Sequence, residues 1–135
     1  MKGTKGYITL YAVIISVVMI LIVLFLVLRG GIQKREQKEK RKLEEEADDL
    51  GVNIDNLIAD TRKIYDALGV DWFWGIPKPW EDEGIVVEVI MAYDRSSFGL
   101  LAEAYNNIYR RDLTVDLREY LSESDIAEIA HIIPL

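Results

Sequence analysis

The sequence predicts an all-α protein with one N-terminal transmembrane helix, a charged helical stalk and a compact five-helix domain. Three observations lead to this fold class. An uncharged stretch of 22 residues lies near the N-terminus, helix-forming charged residues follow it, and apolar residues then recur at spacings of three and four. The expected organisation is an anchor over residues 1–30, a stalk over 31–53 and a helical domain over 54–135.

The first predicted helix runs from Tyr7 to Leu28 and contains no charged residue. About 20 apolar residues, at a rise of 1.5 Å each, span a hydrocarbon layer roughly 30 Å thick. A cleaved signal peptide has an apolar stretch of only about 7–15 residues and ends at a small-residue site. Here the stretch is longer and continues into Arg29, so we expect an uncleaved anchor. The positions that represent this helix are Tyr7, Leu10, Ile14, Val18, Leu21, Phe25 and Leu28.

Charge is distributed unevenly along the chain. Residues 1–42 contain nine Lys or Arg against two Glu, a net charge of +7, whereas residues 43–135 carry a net charge of −14. Because most of the basic residues follow the apolar stretch, the positive-inside rule places the C-terminal domain inside and the short N-terminus outside. A bacterial inner membrane or a virion membrane fits this topology. The expected flanking residues, which either contact anionic headgroups or form a solvated stop-transfer flank, are Arg29, Lys34, Arg35 and Lys38.

The stalk, residues 31–53, is rich in charged helix formers and lacks an apolar heptad stripe. We therefore expect a solvated or frayed helix there, not a coiled coil.

The domain begins with a helical pattern over residues 54–68, which Gly69 is expected to end. The next apolar run, residues 85–93, is compatible with a strand or a helix on composition alone. An amphipathic helix is predicted over about 96–110. A short helix follows around Leu113 to Leu121, and Ser122 with Asp125 forms a capping pair that opens a last helix.

Three stretches of the domain carry a resemblance to a known family. They are ALGVD at 67–71, the Asp94-Arg95-Ser96 turn, and AYNNIYRRDLTVDLREYLSESD at 104–125. With them, residues 54–134 resemble one repeat of the annexin fold, and also the single annexin-like repeats of Bacteroidetes proteins and their phages. The resemblance implies five helices, and it favours a helix for residues 85–93.

Annexins bind calcium through a Gly-x-Gly-Thr loop and an acidic side chain in a later loop. The matching loop here, residues 67–70, lacks one glycine and the threonine, and Tyr120 stands at the position of the acid. Since calcium takes six to eight oxygen ligands, we expect no family-type calcium site.

An inserted segment with two prolines carries the strongest candidates for contact with a partner or a lipid surface. Aromatic side chains of this kind anchor proteins at interfaces, but they also fold back to close a small core. The candidates are Trp72, Phe73, Trp74 and Trp80.

Composition and motifs argue against several functions. The acidic domain would repel nucleic acid phosphates, and the absence of cysteine excludes thiolate metal sites. No nucleophile–base pair or phosphate loop is recognisable, and His131 has apolar neighbours, so we expect neither an enzyme nor a cofactor. Arg95, Arg110 and Arg111 are candidates for bridging helices or acidic turns.

The sequence therefore indicates a non-enzymatic, single-pass membrane protein that anchors a protein-interaction domain. Its expected partners are the bilayer and either other proteins or further copies of itself. A phage virion component that links a membrane to a protein shell is one version of this hypothesis. The alternatives are a peripheral lipid-binding module acting through the tryptophan segment and a phage protein that disrupts the envelope.

Overall fold

The computed structural model describes residues 4–70 and 82–134, and every regular element in this part of the chain is an α-helix. The predicted all-α fold class is confirmed. The chain divides into two compact units, Met1–Lys34 and Arg35–Leu135. The helices are α1 (Thr4–Asp49), α2 (Ile54–Leu68), α3 (Glu83–Met91), α4 (Arg95–Tyr109), α5 (Leu113–Tyr120) and α6 (Glu123–Ile129).

The first unit contains the apolar part of α1. Its large apolar side chains, from Tyr7 to Leu28, are each between 47% and 69% exposed. A helix satisfies its own backbone N–H and C=O groups, which is the condition for crossing hydrocarbon. Among the helices of the described residues, α1 is the one that is long and apolar enough to span a membrane.

The helices of the second unit begin at side chains that accept hydrogen bonds from the first helical turn. Each cap accepts from the backbone N–H three residues later, which satisfies a donor that the helix itself leaves unpaired. Asp94 and Ser97 form a reciprocal capping box at the start of α4. The predicted capping pair of Ser122 with Asp125 is confirmed. The five caps are Asn53, Asp82, Asp94, Asp112 and Ser122.

The core of the second unit lies where α2 meets α3 and α4, with α5 packed on α4 and α6 on α3. Full burial of a Leu or Ile side chain contributes about 1.5–3 kcal/mol, so these contacts supply the main stabilisation of the unit. The Leu and Ile residues with no exposed surface among the described residues are Leu57, Ile64, Ile90, Leu101, Ile108, Leu117, Ile129 and Ile133.

The observed helices agree with most of the sequence-based expectations. The helix over 54–68 is α2, and Gly69 ends it with a left-handed φ of 64°. The ambiguous run over 85–93 is helical up to Met91, where α3 ends. The apolar spacing of Ile126, Ile129 and Ile133 predicts a last helix that extends to Ile133, but α6 ends at Ile129 and His131 is exposed beyond it. Pro134 disfavours a helical conformation in the residue before it, which is consistent with this early end.

The largest difference from expectation concerns the stalk. We name residues 35–49 of α1 the neck. The neck belongs to the second unit, and it is not solvated on all sides. Its buried side chains are separated by three or four residues and therefore share one helical face. They are Glu36, Glu39, Leu43 and Ala47.

Candidate functional site

The seven residues chosen to represent the membrane segment all lie in α1 with exposed side chains. The hydroxyl group of Ser16 donates a 2.8 Å hydrogen bond to the carbonyl oxygen of Ala12, one turn earlier. This bond satisfies the polar group within the helix, as hydrocarbon surroundings require. The segment thus presents an apolar surface that no described residue covers.

The predicted flanking residues have different environments. Arg29 and Lys34 are exposed in the first unit. In the second unit, Arg35 donates a 3.1 Å hydrogen bond from its guanidinium group to the carbonyl oxygen of Ile108, near the end of α4. Lys38 is exposed. Arg35 is therefore the one member of the predicted set with a hydrogen bond that joins elements in the described structure.

A two-point ion pair joins the neck to α2. The guanidinium group of Arg62 donates to both carboxylate oxygens of Glu36, with N–O distances of 3.1 Å and 2.6 Å. The Glu36 side chain is only 7% exposed, whereas that of Arg62 is 56% exposed. The hydrogen bond to Glu36, and then its charge, raise the pKa of Arg62. Such fork-like geometry fixes the position of a carboxylate more firmly than a single contact does.

Three more polar contacts connect the neck to the rest of the second unit. The amide group of Asn107 donates to Glu39 over 3.0 Å, which provides a partner for the second buried carboxylate of the neck. On either side of this contact, Lys42 pairs with Glu103 of α4, and Lys40 pairs with Asp55 of α2, both at 2.6 Å. Polar contacts therefore position the neck along most of its length, with Leu43 and Ala47 as its apolar contribution.

Three tyrosines from α2 and α4 form an aromatic cluster in the same unit. The rings of Tyr65 and Tyr109 are stacked with centroids 3.9 Å apart, and Tyr105 lies 5.3 Å from Tyr109 at an interplanar angle of 50°. Burial raises the pKa of Tyr109, and the negative charge of Glu36 raises it further. The hydroxyl group of Tyr109 therefore stays protonated at physiological pH, and Tyr105 and Tyr109 pack as part of the core.

A second buried carboxylate contact lies at the corner between α4 and α5. Asp116 accepts hydrogen bonds from the hydroxyl group of Tyr105 and from two nitrogens of Arg111, each at 2.8 Å. The prediction that Arg111 bridges an acidic group is confirmed. The adjacent Asp112 caps α5, so the Arg-Asp-Leu turn noted in the sequence has a structural role here.

The predicted contact residues of the tryptophan segment lie in a part of the chain that the structure does not describe. Trp72, Phe73, Trp74 and Trp80 lie outside the described residues. Within the described ranges, 4–70 and 82–134, no group of three or more acidic or histidine side chains is arranged to hold a metal ion.

The sequence-based reasoning missed the contacts made by the neck, above all those of Glu36, Arg62 and Asn107. The available signal was a stripe of residues 36, 39, 43 and 47, whose spacing is helical. It was not recognised as a packing face because its first two members are glutamates.

Comparisons with known proteins give no match: no family model, no curated protein and no solved structure is similar to this chain. The resemblance of residues 54–134 to an annexin repeat therefore stays a prediction from the sequence.

Proposed function

We propose that this chain is a non-enzymatic, single-pass membrane protein that holds a helical protein-interaction domain at the inner face of a membrane. The observation that carries the proposal is the apolar part of α1. From Tyr7 to Leu28 it has no charged residue, and all its large apolar side chains are exposed. An exposed apolar surface of this extent is rare on soluble monomers, and a bilayer is the environment that suits it.

Flanking charge supports the orientation. Two lysines precede the apolar stretch, whereas seven basic residues follow it before residue 43. The excess of Lys and Arg on one side favours retention of that side in the cytoplasm, or on the equivalent inner side of a virion membrane. The domain then lies inside and the N-terminus lies outside.

The use of charged side chains in the domain supports a role in binding and not in catalysis. The buried carboxylates of Glu36, Glu39 and Asp116 all accept hydrogen bonds that connect different parts of the second unit. They therefore stabilise the fold. Residues 43–135 carry a net charge of −14. A protein partner with a basic surface has the matching charge.

Membrane insertion is tested first by replacing apolar residues of α1 with lysine. Each charged residue at the centre of a spanning helix costs about 2.5–3.5 kcal/mol in insertion, so Val18→Lys/Leu21→Lys is expected to release the chain from membranes on alkaline washing. Met91→Lys/Val115→Lys is the matched control, because both residues are exposed in the domain. The proposal fails if the unmodified chain is itself extracted by the alkaline wash.

Orientation is tested by cysteine labelling, for which the chain needs no background mutation because it contains no cysteine. Thr4→Cys and Val115→Cys place single thiols before the apolar stretch and on α5. A membrane-impermeant maleimide applied to intact cells is expected to label position 4 alone. Labelling of position 115 in intact cells, without permeabilisation, would contradict the proposed orientation and would place the domain outside.

The partner is sought by gentle detergent extraction of the native source, followed by sizing and mass spectrometry. A complex of fixed stoichiometry with a protein that presents a basic surface is the expected result. If the chain runs alone, the interaction role is wrong and the tryptophan segment becomes the next subject for lipid-binding assays.

A further inference from the structure

The fold of the neck separates its basic and acidic side chains. In the sequence, basic and acidic residues are interspersed from residue 35 to residue 42. In the structure, Glu36 and Glu39 are turned into the second unit and bonded to Arg62 and Asn107. The exposed surface of this part of the neck consequently loses its two negative charges.

Lys38 and Arg41 lie on the side of the neck opposite to the buried face. Both are exposed, and neither makes an ion pair or a hydrogen bond with another described residue. By contrast, Lys40 and Lys42 are neutralised by Asp55 and Glu103. Arg35 is also exposed, but its guanidinium group is held by the carbonyl oxygen of Ile108. Lys38 and Arg41, which we name the basic pair, are therefore the exposed basic side chains of this stretch that no other described residue holds.

The basic pair follows the apolar stretch closely in the chain. Lys38 comes ten residues after Leu28, a length of about 15 Å in a helix. The headgroup region extends roughly 5–8 Å beyond the hydrocarbon, and an exposed charge acts over a further 8–10 Å at physiological ionic strength.

Negative charge on the same side of the neck begins only further along the chain, at Glu45 and Asp48. In chain order, positive charge therefore comes nearer to the apolar stretch than negative charge does, which favours contact of an anionic surface with the basic pair and not with the acidic residues that follow.

We infer that Lys38 and Arg41 bind the phosphate groups of anionic phospholipids in the membrane that the chain spans. This inference rests on the proposed membrane insertion. Burial of Glu36 and Glu39 is the feature that makes it possible, because two exposed glutamates beside the basic pair would cancel its charge. The contact holds the neck at the headgroups of an anionic membrane, and a zwitterionic membrane does not provide it.

The test uses the full chain, reconstituted in vesicles of phosphatidylcholine with or without phosphatidylglycerol. Gln37→Cys places a fluorescent label on an exposed position beside the basic pair. A quencher attached to lipid headgroups is expected to quench this label more strongly in phosphatidylglycerol vesicles. High salt should abolish the difference between the two lipids, since exposed charges are screened.

The decisive variant is Lys38→Gln/Arg41→Gln in the labelled chain. It should lower the ratio of headgroup-bound to free neck roughly thirtyfold, the contribution of two basic side chains near an anionic surface. Arg95→Gln/Arg118→Gln removes the same charge from exposed positions of α4 and α5 and should leave the ratio unchanged. Equal quenching in both lipids, or an equal effect of the control, overturns the inference.

The two proposals fail in distinguishable ways. If the unmodified chain resists alkaline extraction but its label does not respond to phosphatidylglycerol, only the headgroup contact is wrong. If the chain is extracted, membrane insertion is wrong and the headgroup contact falls with it.

Discussion

Asp116 and Glu36 are both buried carboxylates bonded to an arginine, but their surroundings differ. Asp116 is 3% exposed and accepts three hydrogen bonds, from Tyr105 and Arg111, which lie 11 and 5 residues away in the chain. Glu36 is 7% exposed and depends on Arg62, which lies 26 residues away and has a side chain that is 56% exposed. The first contact is local and enclosed, whereas the second is non-local and open to water on one side.

The difference between the two contacts indicates an order of stability within the second unit. An enclosed carboxylate cannot lose its partners without leaving buried charge unpaired, which is strongly unfavourable. A half-exposed arginine is readily solvated, so the contact that it makes contributes less. We therefore expect the corner between α4 and α5 to open only with global unfolding, and the neck to open locally at lower cost.

The largest effect is expected for Asp116→Ala. This change leaves the buried Tyr105 hydroxyl and the Arg111 guanidinium group without their shared acceptor, which should lower the free energy of unfolding by about 4 kcal/mol. Urea denaturation of the full chain in detergent, followed by near-ultraviolet circular dichroism, measures the change. Glu119→Ala removes an exposed acid from the same helix and should have an effect below about 0.5 kcal/mol. Similar effects of the two variants would show that Asp116 is not a stabilising centre.

Alkaline pH should have the next largest effect on the free energy of unfolding. It acts on Tyr105, which is bonded to Asp116, and on Tyr109, whose pKa is raised by burial and by the charge of Glu36. Burial, followed by the charge of Asp116, raises the pKa of Tyr105, and burial with the charge of Glu36 raises that of Tyr109. Because the folded pKa values lie above the unfolded value of 10.0, stability is unaffected below that pH and decreases above it. Two such tyrosines contribute a loss of about 3 kcal/mol by pH 11.

The measurement for this pH effect is tyrosinate absorbance recorded together with circular dichroism during a base titration. Tyr105 and Tyr109 should ionise only as the tertiary signal disappears. Ionisation of all tyrosines near their ordinary pKa, with the fold intact, would contradict the burial of these hydroxyl groups.

A smaller, local effect is expected for Glu36→Ala. Loss of the bond to Arg62 should destabilise the packed neck by about 2 kcal/mol, less than for an enclosed pair because Arg62 is more than half exposed. Hydrogen exchange should increase in residues 36–47 before it increases in α4 and α5. Glu44→Ala is the control, since Glu44 is exposed on the same neck. Equal acceleration in all helices would mean that neck and domain unfold together.

The same comparison explains what the sequence could and could not predict. The helices of the domain were predictable because Asp and Ser caps and apolar spacing act within a few residues of each other. Arg111 was one of three arginines predicted to bridge helices or acidic turns, and its partner, Asp116, is visible only in the structure. Packing of the neck was not predictable, because its inward stripe begins with Glu36 and Glu39. A buried glutamate is recognisable only when its distant partner, here Arg62 or Asn107, is known.

The smallest predicted effect is a gain of stability at the enclosed corner. Arg110, which ends α4, has a φ of 60° and is the one non-glycine residue with positive φ among the described residues. A Cβ atom in this left-handed conformation costs roughly 1–2 kcal/mol, so Arg110→Gly should raise the free energy of unfolding by about 1 kcal/mol. Arg110→Ala keeps the Cβ atom and should give no such gain. If both variants stabilise the protein equally in urea denaturation, the benefit comes from removing the arginine charge and not from the backbone, and the corner is already free of conformational strain.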